Sequence, residues 1–467
     1  MTITIYGVLA ITMDESLETI DQCDIVIADD GRIQSVGPTD GAPRPADEMI
    51  DGTGLIAIPG LIDTHRHSWL EMFRGLTADL PVGGYRQLTK SGIAQRVHPD
   101  AVHLATLVGD LAAVDCGITT VADLAHIGRT ADHLDASVQG HRDSGLRVVL
   151  AHTPANGDGE NWYVNSERRH PADIAWLRTG ALADDDALVV LAMGARPLHC
   201  VTPEVLQADV ATARDLGLRL IYDGAGAATG GGPVRRRWSQ PGHRTVAALA
   251  ESGLLGPDMG FVHGNHLEDD ELGMIADHGA GLSVASEVEM LCGYGLPVCG
   301  RDAVAGLRLA LSTDVAAYAD PSILTAMRTM LMLSRARPAS SAYLTNREET
   351  TQVPAVAALR AGTIDGARFL GLQDRIGTLS PGRAADIVLI DRTGPRLAAV
   401  RDPAVAVVLF AQSEDVRHVM VQGRIVKRDG RLVEARRSDL VRRLVDAGSA
   451  VLAHGAKRAE DAPLWNF

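Results

Sequence analysis

The chain has 467 residues, 46% hydrophobic, 22% charged and only 4% aromatic, with 44 basic against 59 acidic residues and a net charge of −15. An ordinary apolar fraction with no low-complexity block excludes a disordered chain, and the length suits one large α/β barrel with a smaller appended domain. The acidic balance, with no basic stripe beyond Arg235–Arg236–Arg237, argues against a nucleic-acid partner, and no uncharged run reaches the roughly 18–20 apolar residues of a membrane helix.

The first residues, Met1-Thr-Ile-Thr-Ile-Tyr, lack the basic and apolar regions of a signal peptide. Cys23, Cys116, Cys200, Cys292 and Cys299 are odd in number and scattered, so no disulfide framework is expected. A cytoplasmic protein is the simple expectation.

In chain order, Thr2–Ala10 and Asp24–Ala28 read as strands, and Asp29-Asp30-Gly31-Arg32 between Ile27 and Ile33 is a hairpin signal. Eight β-rich runs follow: Leu55–Asp63, Ile118–Asp123, Leu146–His152, Ala187–Met193, Leu218–Asp223, Met259–His263, Gly281–Ala285 and Leu307–Asp314. Helical stretches such as Pro99–Cys116, Pro203–Leu216 and His243–Ser252 intervene, the last two starting after Thr202-Pro203 and Pro241-Gly242. Strict alternation of strand and helix is the pattern of a (β/α)8 TIM-like barrel. Long loops after strands one and three would cover its catalytic face. Strand patterns return at Asp386–Ile390, Val405–Phe410, Val416–Val421 and Arg424–Val426, and Ser438–His454 reads as one helix. The expected organisation is a small composite β-sandwich domain from residues 1–56 and 376–434, a barrel over 57–375, and a helical tail over 435–467.

The chemistry gathers at the predicted strand ends. His65 and His67 flank Arg66 at the end of the first barrel strand, where alternation aims both imidazoles the same way, half of a metal site. A bare His-x-His is also what two strand-end polar residues bonded to backbone look like. Strand six ends at His263 and strand eight at Asp314, while His126, His152 and His199 lie at or just past strands two, three and four. In a barrel these ends meet on one face. His126, His152, His199 and His266 read as substrate contacts or hydrogen-bonding neighbours, not as ligands.

Pro59-Gly60-Leu61-Ile62-Asp63-Thr64-His65-Arg66-His67, Gly117-Ile118-Thr119-Thr120-Val121-Ala122-Asp123, Gly366-Ala367-Arg368 through Gly371-Leu372, and Ile376-Gly377-Thr378-Leu379 followed by Pro381-Gly382-Arg383-Ala384-Ala385-Asp386-Ile387-Val388-Leu389 together carry a likeness. Along nearly its whole length the chain resembles the amidohydrolase superfamily, in its cytosine-deaminase and triazine-hydrolase-like branch. The resemblance implies that His65 and His67 are the first two metal ligands. Asp314 would be the strand-eight carboxylate that binds metal and handles the proton of the attacking water. His263 would be the strand-six histidine that orients this water. Two-metal relatives commonly bridge their ions with a carboxylated lysine on strand four; the only lysines here are Lys90, Lys427 and Lys457, none on a predicted barrel strand. One divalent ion, zinc before iron, is therefore expected.

The pattern departs at strand five, where the resemblance calls for a histidine ligand and, in many deaminases, a glutamate three residues later. One register places Asp223 and Gly226 at these positions, and a slip of one places Tyr222 and Ala225 there. Asp223 is then either a replacement ligand or a loop carboxylate. Without the glutamate, ordinary purine or pyrimidine deamination is disfavoured. Glu287 is assigned to a substrate amine or cationic ring, whereas Glu289 reads as a solvated loop carboxylate. The glycine-rich run Gly224–Gly232 reads as a flexible loop over the site.

The expected function is metal-dependent hydrolysis of a C–N or related bond in a small cyclic molecule. A heterocycle deaminase is the nearest variant. A lyase, isomerase or cyclase, or a metal-free binding scaffold, are the competing classes on one fold. The expected partner is a small molecule, with no nucleic acid or membrane, in a homodimer. Many of the scarce aromatics, among them Trp69, Phe73, Tyr85, Tyr222, Tyr294 and Tyr318, fall near the catalytic-face loops, so Trp69, Tyr222 and Tyr294 are read as substrate contacts for a ring.

Overall fold

The computed structural model describes residues 1–155, 162–163, 165–224, 244–301, 306–345, 353–433 and 437–459, the side chains of 338–345, 437 and 454–459 excepted. The N-terminal strands are β1 (Ile3–Ile11), β2 (Thr19–Ile27), β3 (Ile33–Pro38), β4 (Glu48–Asp51) and β5 (Leu55–Pro59). They join β14 (Ile387–Asp391), β15 (Val416–Val421), β16 (Arg424–Arg428) and β17 (Arg431–Leu432) in one nine-stranded sheet, ordered β17-β16-β15-β14-β5-β1-β2-β3 with β4 beside β1. Period-two alternation gives this sheet two apolar faces. Leu55 and Ala57 of β5 with Ile387 and Leu389 of β14 fill its own core, while Ile56, Ile58, Val388 and Ile390 join the larger core shared with the barrel.

The barrel strands are β6 (Leu61–Arg66), β7 (Ile118–Leu124), β8 (Arg147–His152), β9 (Val189–Ala195), β10 (Leu220–Asp223), β11 (Met259–Val262), β12 (Gly281–Val284) and β13 (Leu309–Leu311). All are parallel and pair in chain order. Its inside is lined by Ile62, Ala122, Leu124, Val149, Ala151, Ala192, Ile221, Val262 and Ala310, with Phe369 of the helix Ile364–Phe369 packed among them. A Cβ on Gly260 would lie 2.6 Å from the Phe369 ring, so the plug needs glycine there. Above this layer Thr64, Ser283 and Ser312 bond one another inside the barrel (2.7 and 3.0 Å).

The single strand expected over Leu55–Asp63 is two strands. Leu55–Pro59 belongs to the small sheet and Leu61–Arg66 to the barrel, and the chain crosses at Gly60. A Cβ there would lie 1.9 Å from Thr119 Oγ1, so only glycine allows the crossing. The expected strand Val405–Phe410 is helical: Asp402 accepts a hydrogen bond from Val405 N (3.0 Å), Pro403 takes the first helical position, and the turn runs on through Ala406–Phe410. A short apolar run fits a buried helix as well as a strand, and the Asp-Pro start decides between them. Thr202 caps Pro203–Asp215 as expected. The helix expected from His243 begins at Thr245, its Pro241-Gly242 start lying outside the described residues. The C-terminal helix Arg437–Ala459 packs Leu440 and Leu444 on Leu104 and Val108. Among the described residues no helix is long and apolar enough to cross a membrane.

A buried polar network sits behind the first two barrel strands. His141, on the helix Ala131–Ser144, contacts Asp110 of the helix Pro99–Asp115 through Nδ1 (2.8 Å) and Asp123 of β7 through Nε2 (3.1 Å). Asp123 in turn accepts a hydrogen bond from the backbone N–H of Ser68 (2.8 Å), one residue past His67. Burial alone would lower the His141 pKa, but the two carboxylates outweigh it and raise it from 6.5 to about 9. A folded pKa above the unfolded one gives stability that is full below pH 6.5 and lost as pH rises through about 9. His141→Gln should lower unfolding stability at pH 6 by about 3–5 kcal/mol. The gap to wild type should narrow by pH 10 in urea titrations, and a pH-independent gap would contradict this account.

Candidate metal centre

Five side chains from four barrel strand ends meet above the polar layer. Ile62 faces the barrel interior, so unbroken alternation would send His65 outward; a register irregularity between Asp63 and Arg66 turns it in. His65 and His67 then share the inner side, while Arg66 points out to Glu71 (3.1 Å). Val262 is likewise interior, and His263 after it is brought inward by a left-handed backbone (φ 63°). Asp314 has φ 56°, and such conformations in residues other than glycine cluster at functional sites. Asp223 ends β10 on the inner side.

His65 Nε2 lies 3.8 Å from Asp223 Oδ1 and 3.5 Å from Asp314 Oδ1. His67 Nε2 lies 3.8 and 3.5 Å from the same two carboxylates, and His263 Nε2 3.6 and 3.4 Å. These gaps are at or beyond the outer limit for hydrogen bonds. They match the edge of a tetrahedron whose bonds are roughly 2.1 Å, about 3.4 Å. His65, His67 and Asp223, and again His65, His263 and Asp314, present one donor atom each within 4.8 Å of one another.

The remaining hydrogen bonds aim the lone pairs inward. His67 Nδ1–H donates to the Leu124 carbonyl (3.0 Å) and His263 Nδ1–H to Glu289 Oε1 (3.1 Å), so that each Nε2 faces the cluster. His65 Nε2 is buried with no hydrogen-bond partner, as a ligand atom is before its ion. Burial and neighbouring His65 push His67 down to about 4, keeping it neutral. Burial would raise Asp223, but His65, Lys90, His67 and His263 outweigh it and hold the carboxyl well below its usual range. Burial likewise opposes the ionised Asp314, and the facing His65, His263 and His67 prevail and lower it. For His263 burial acts downward, but Glu289 and both aspartates raise it to about 9. Neutral His67 and the ionised Asp223 and Asp314 fit a hard or borderline divalent cation.

Of the expected site residues, His65, His67, Asp223, His263 and Asp314 are brought together. His126 stacks on His67 (ring centroids 4.0 Å) and accepts from Trp69 Nε1 (3.1 Å). Trp69 is 1% exposed, in an aromatic cluster with Phe73, Tyr85, Tyr294 and Tyr318, so the scarce aromatics first serve as the core of the site's cover. Tyr294 sets its ring edge against His263 (5.2 Å). His266 is exposed and holds the Tyr294 carbonyl through Nε2 (2.8 Å), away from the ligands. His152 bonds His170 (2.9 Å), and His199 is half-buried past β9; neither is in the ligand groups.

Two assignments need correction. Tyr222 faces the outer helical layer, stacked on Phe261 (5.2 Å), because alternation along β10 sends it opposite to Asp223; this also settles the strand-five register in favour of Asp223. Glu287 and Glu289 lie on a helix, Ser286–Leu291, not an extended loop, and residues two apart on a helix face opposite ways. Burial, together with the charge of Asp320, raises the Glu287 carboxyl against the opposing charge of Arg328. Glu289, expected to be solvated, is wholly buried, holding His263, Asn265 Nδ2 (3.0 Å) and Ala285 N (2.9 Å). The glycine-rich run and Gly226 lie outside the described residues, apart from Gly224.

Comparison with known proteins agrees with this geometry. The model of the amidohydrolase family matches residues 56–426. The 5'-deoxyadenosine deaminase of Methanothermobacter thermautotrophicus is 30% identical over 428 residues, covering 91% of this chain and 94% of that protein. The zinc-bound adenosine deaminase structure from Xanthomonas campestris superposes with a TM-score of 0.81 at 21% identity, covering 97% and 98% of the two chains. The zinc complex of atrazine chlorohydrolase from Arthrobacter aurescens gives 0.82 at 24%, covering 96% and 100%. The donor set by itself fits a divalent metal.

Glu289→Gln keeps size but removes the carboxylate charge that fixes His263. With the bound metal retained, activity should fall by about 10–100-fold, and unchanged activity would contradict the role given to Glu289.

Proposed function

The chain belongs to the amidohydrolase family and is a metal-dependent hydrolase, and on that premise we propose that it displaces an amino or related leaving group from a carbon of a small nitrogen heterocycle. One zinc ion is assigned to His65, His67, Asp223 and Asp314, iron being the other ion this donor set suits. The observation that carries the reading is the convergence of three imidazoles and two carboxylates at hydrogen-bond-breaking, metal-matching separations. The 30%-identical relative, a deaminase of 5'-deoxyadenosine, supports a heterocyclic amine.

A divalent cation there supplies Lewis acidity and a water nucleophile at neutral pH. Asp314, ionised and 3.4 Å from His263, takes the proton of the attacking water and returns it to the leaving group. His263, fixed by Glu289, orients that water. With no glutamate three residues after Asp223, Asp314 carries the proton in both directions. An electron-poor ring, which accepts attack without first being protonated on nitrogen, is therefore placed ahead of an ordinary purine. Five buried, unpaired cysteines suit a reducing compartment such as the cytoplasm.

Elemental analysis should find about one zinc per chain, and ammonia release should be faster from aminotriazines than from 5'-deoxyadenosine, with ¹⁸O from water in the product. Asp314→Asn should reduce kcat by about 10²–10⁴. A purified chain without metal, or turnover without solvent oxygen in the product, would sink the reading. Two carboxylates cancel the charge of a divalent ion and make its water less acidic than a single one would. Asp223→His should thus move the acidic limb of the kcat profile down by about 1–3 pH units.

A further inference from the structure

The cover of the metal centre holds one hydroxyl that the fold leaves without a partner. The helix Val82–Arg86 lies across the loops that follow β12 and β13 and is tied to both. On one side Val82 N donates to the Cys292 carbonyl (2.9 Å) and Arg86 Nη2 to the Tyr294 hydroxyl (3.4 Å). On the other, Tyr318 Oη donates to the carbonyl of Leu80, just before the helix (2.7 Å). Both walls belong to the site itself. The Tyr294 ring stands edge-on to His263 (5.2 Å), and Tyr318 comes four residues after Asp314, in a turn that bonds its N–H to the Val315 carbonyl (3.1 Å).

Tyr85 packs between these walls. Its ring lies 5.5 Å from that of Tyr318, and it shares one apolar cluster with Tyr294, with Ala285 and Val288 past β12, and with Val315 beside Asp314. The three phenols differ in one respect. Tyr294 Oη accepts from Arg86 and Tyr318 Oη donates to Leu80, whereas Tyr85, 6% exposed, has no hydrogen-bond partner for its Oη among the described residues. A buried hydroxyl without a bond is a cost to the protein that carries it, and phenylalanine would fill the same space without that cost. Burial lifts the pKa of this phenol well above its usual range, so it keeps its proton and stays a neutral donor. The cluster around it is apolar, so the missing acceptor has to arrive with a bound molecule.

We propose that the Tyr85 hydroxyl donates a hydrogen bond to a ring nitrogen of the bound heterocycle. The bond draws electron density from the carbon that water attacks, and no proton changes hands. Tyr85 thereby supplies part of the polarisation for which no glutamate follows Asp223. The identity of the ring rests on the hydrolase reading above; the unpartnered donor does not.

Two probes of one outline test this, trimethyltriazine with ring nitrogens and no leaving group, and mesitylene with neither. Each is titrated calorimetrically into the zinc-loaded protein, wild type and Tyr85→Phe. The variant should bind trimethyltriazine about 3–10-fold more weakly and mesitylene equally well, with zinc content unchanged and melting temperature unchanged or raised. Its kcat/KM for an aminotriazine should fall by at least the same factor. Equal trimethyltriazine affinity in the two proteins, an equal loss for both probes, a lowered melting temperature, or no binding of trimethyltriazine would each overturn the proposal. Turnover of a heterocycle at the same kcat/KM in both proteins would keep the hydrolase reading and remove the donor. A nitrogen-dependent loss of binding in a protein that turns over no heterocycle would do the reverse.

Discussion

The barrel is closed by the residues proposed to hold its metal. Asp314 N donates to the His65 carbonyl and His67 N to the Asp314 carbonyl, both at 2.9 Å, and the outward-facing Asp63 accepts from Thr313 N at 3.0 Å. The seam between first and last strands therefore runs through the residues whose side chains form the site. Register and ligand spacing are one constraint, since a slip of a single residue reverses every side chain along a strand. The short β13 makes this seam more important, because few other backbone bonds hold the ends together.

Around that seam the molecule stores strain and buried charge. His263 and Asp314 occupy left-handed backbone conformations, each costing of the order of 1 kcal/mol or more. Their compensation lies in the surroundings. Glu289 fixes His263 while bonding Asn265 and Ala285, and Asp123 ties the backbone after His67 to the charged His141 and Asp110. Each such carboxylate serves two elements, so the site's geometry and the packing of strands on helices are hard to change separately.

The barrel was legible because its alternation of strand and helix is a long, repeated signal, and His65, His67, His263 and Asp314 because they end strands that must converge. Asp223 was legible as a position but not as an orientation; period two along β10 supplies that, and removes Tyr222. What stayed hidden was whatever depended on a local departure from regular structure. The irregularity that turns His65 inward, the φ of His263, and the helical turn that buries Glu289 while turning Glu287 away leave no periodic trace. Val405–Phe410 shows the complementary limit, an apolar run whose type is decided by two residues before it. Trp69, Phe73, Tyr85, Tyr294 and Tyr318 pack in one cluster that excludes Tyr222, and that mutual packing follows only from three dimensions.

The nine-stranded sheet joins β5 to β14, Ile58 facing Val388 across most of the chain. During synthesis the N-terminal strands must wait for their partner. At roughly 5–20 residues per second the delay is of the order of 15–65 s. Through that interval Ile56 and Ile58, wholly buried in the finished protein, have one strand edge unpaired. The barrel's first strand, one glycine further on, is tied to the same delay. Newborn chains are thus expected to be most vulnerable to aggregation and most dependent on chaperones until β14 emerges, and loss of β14 would be felt first in the N-terminal strands.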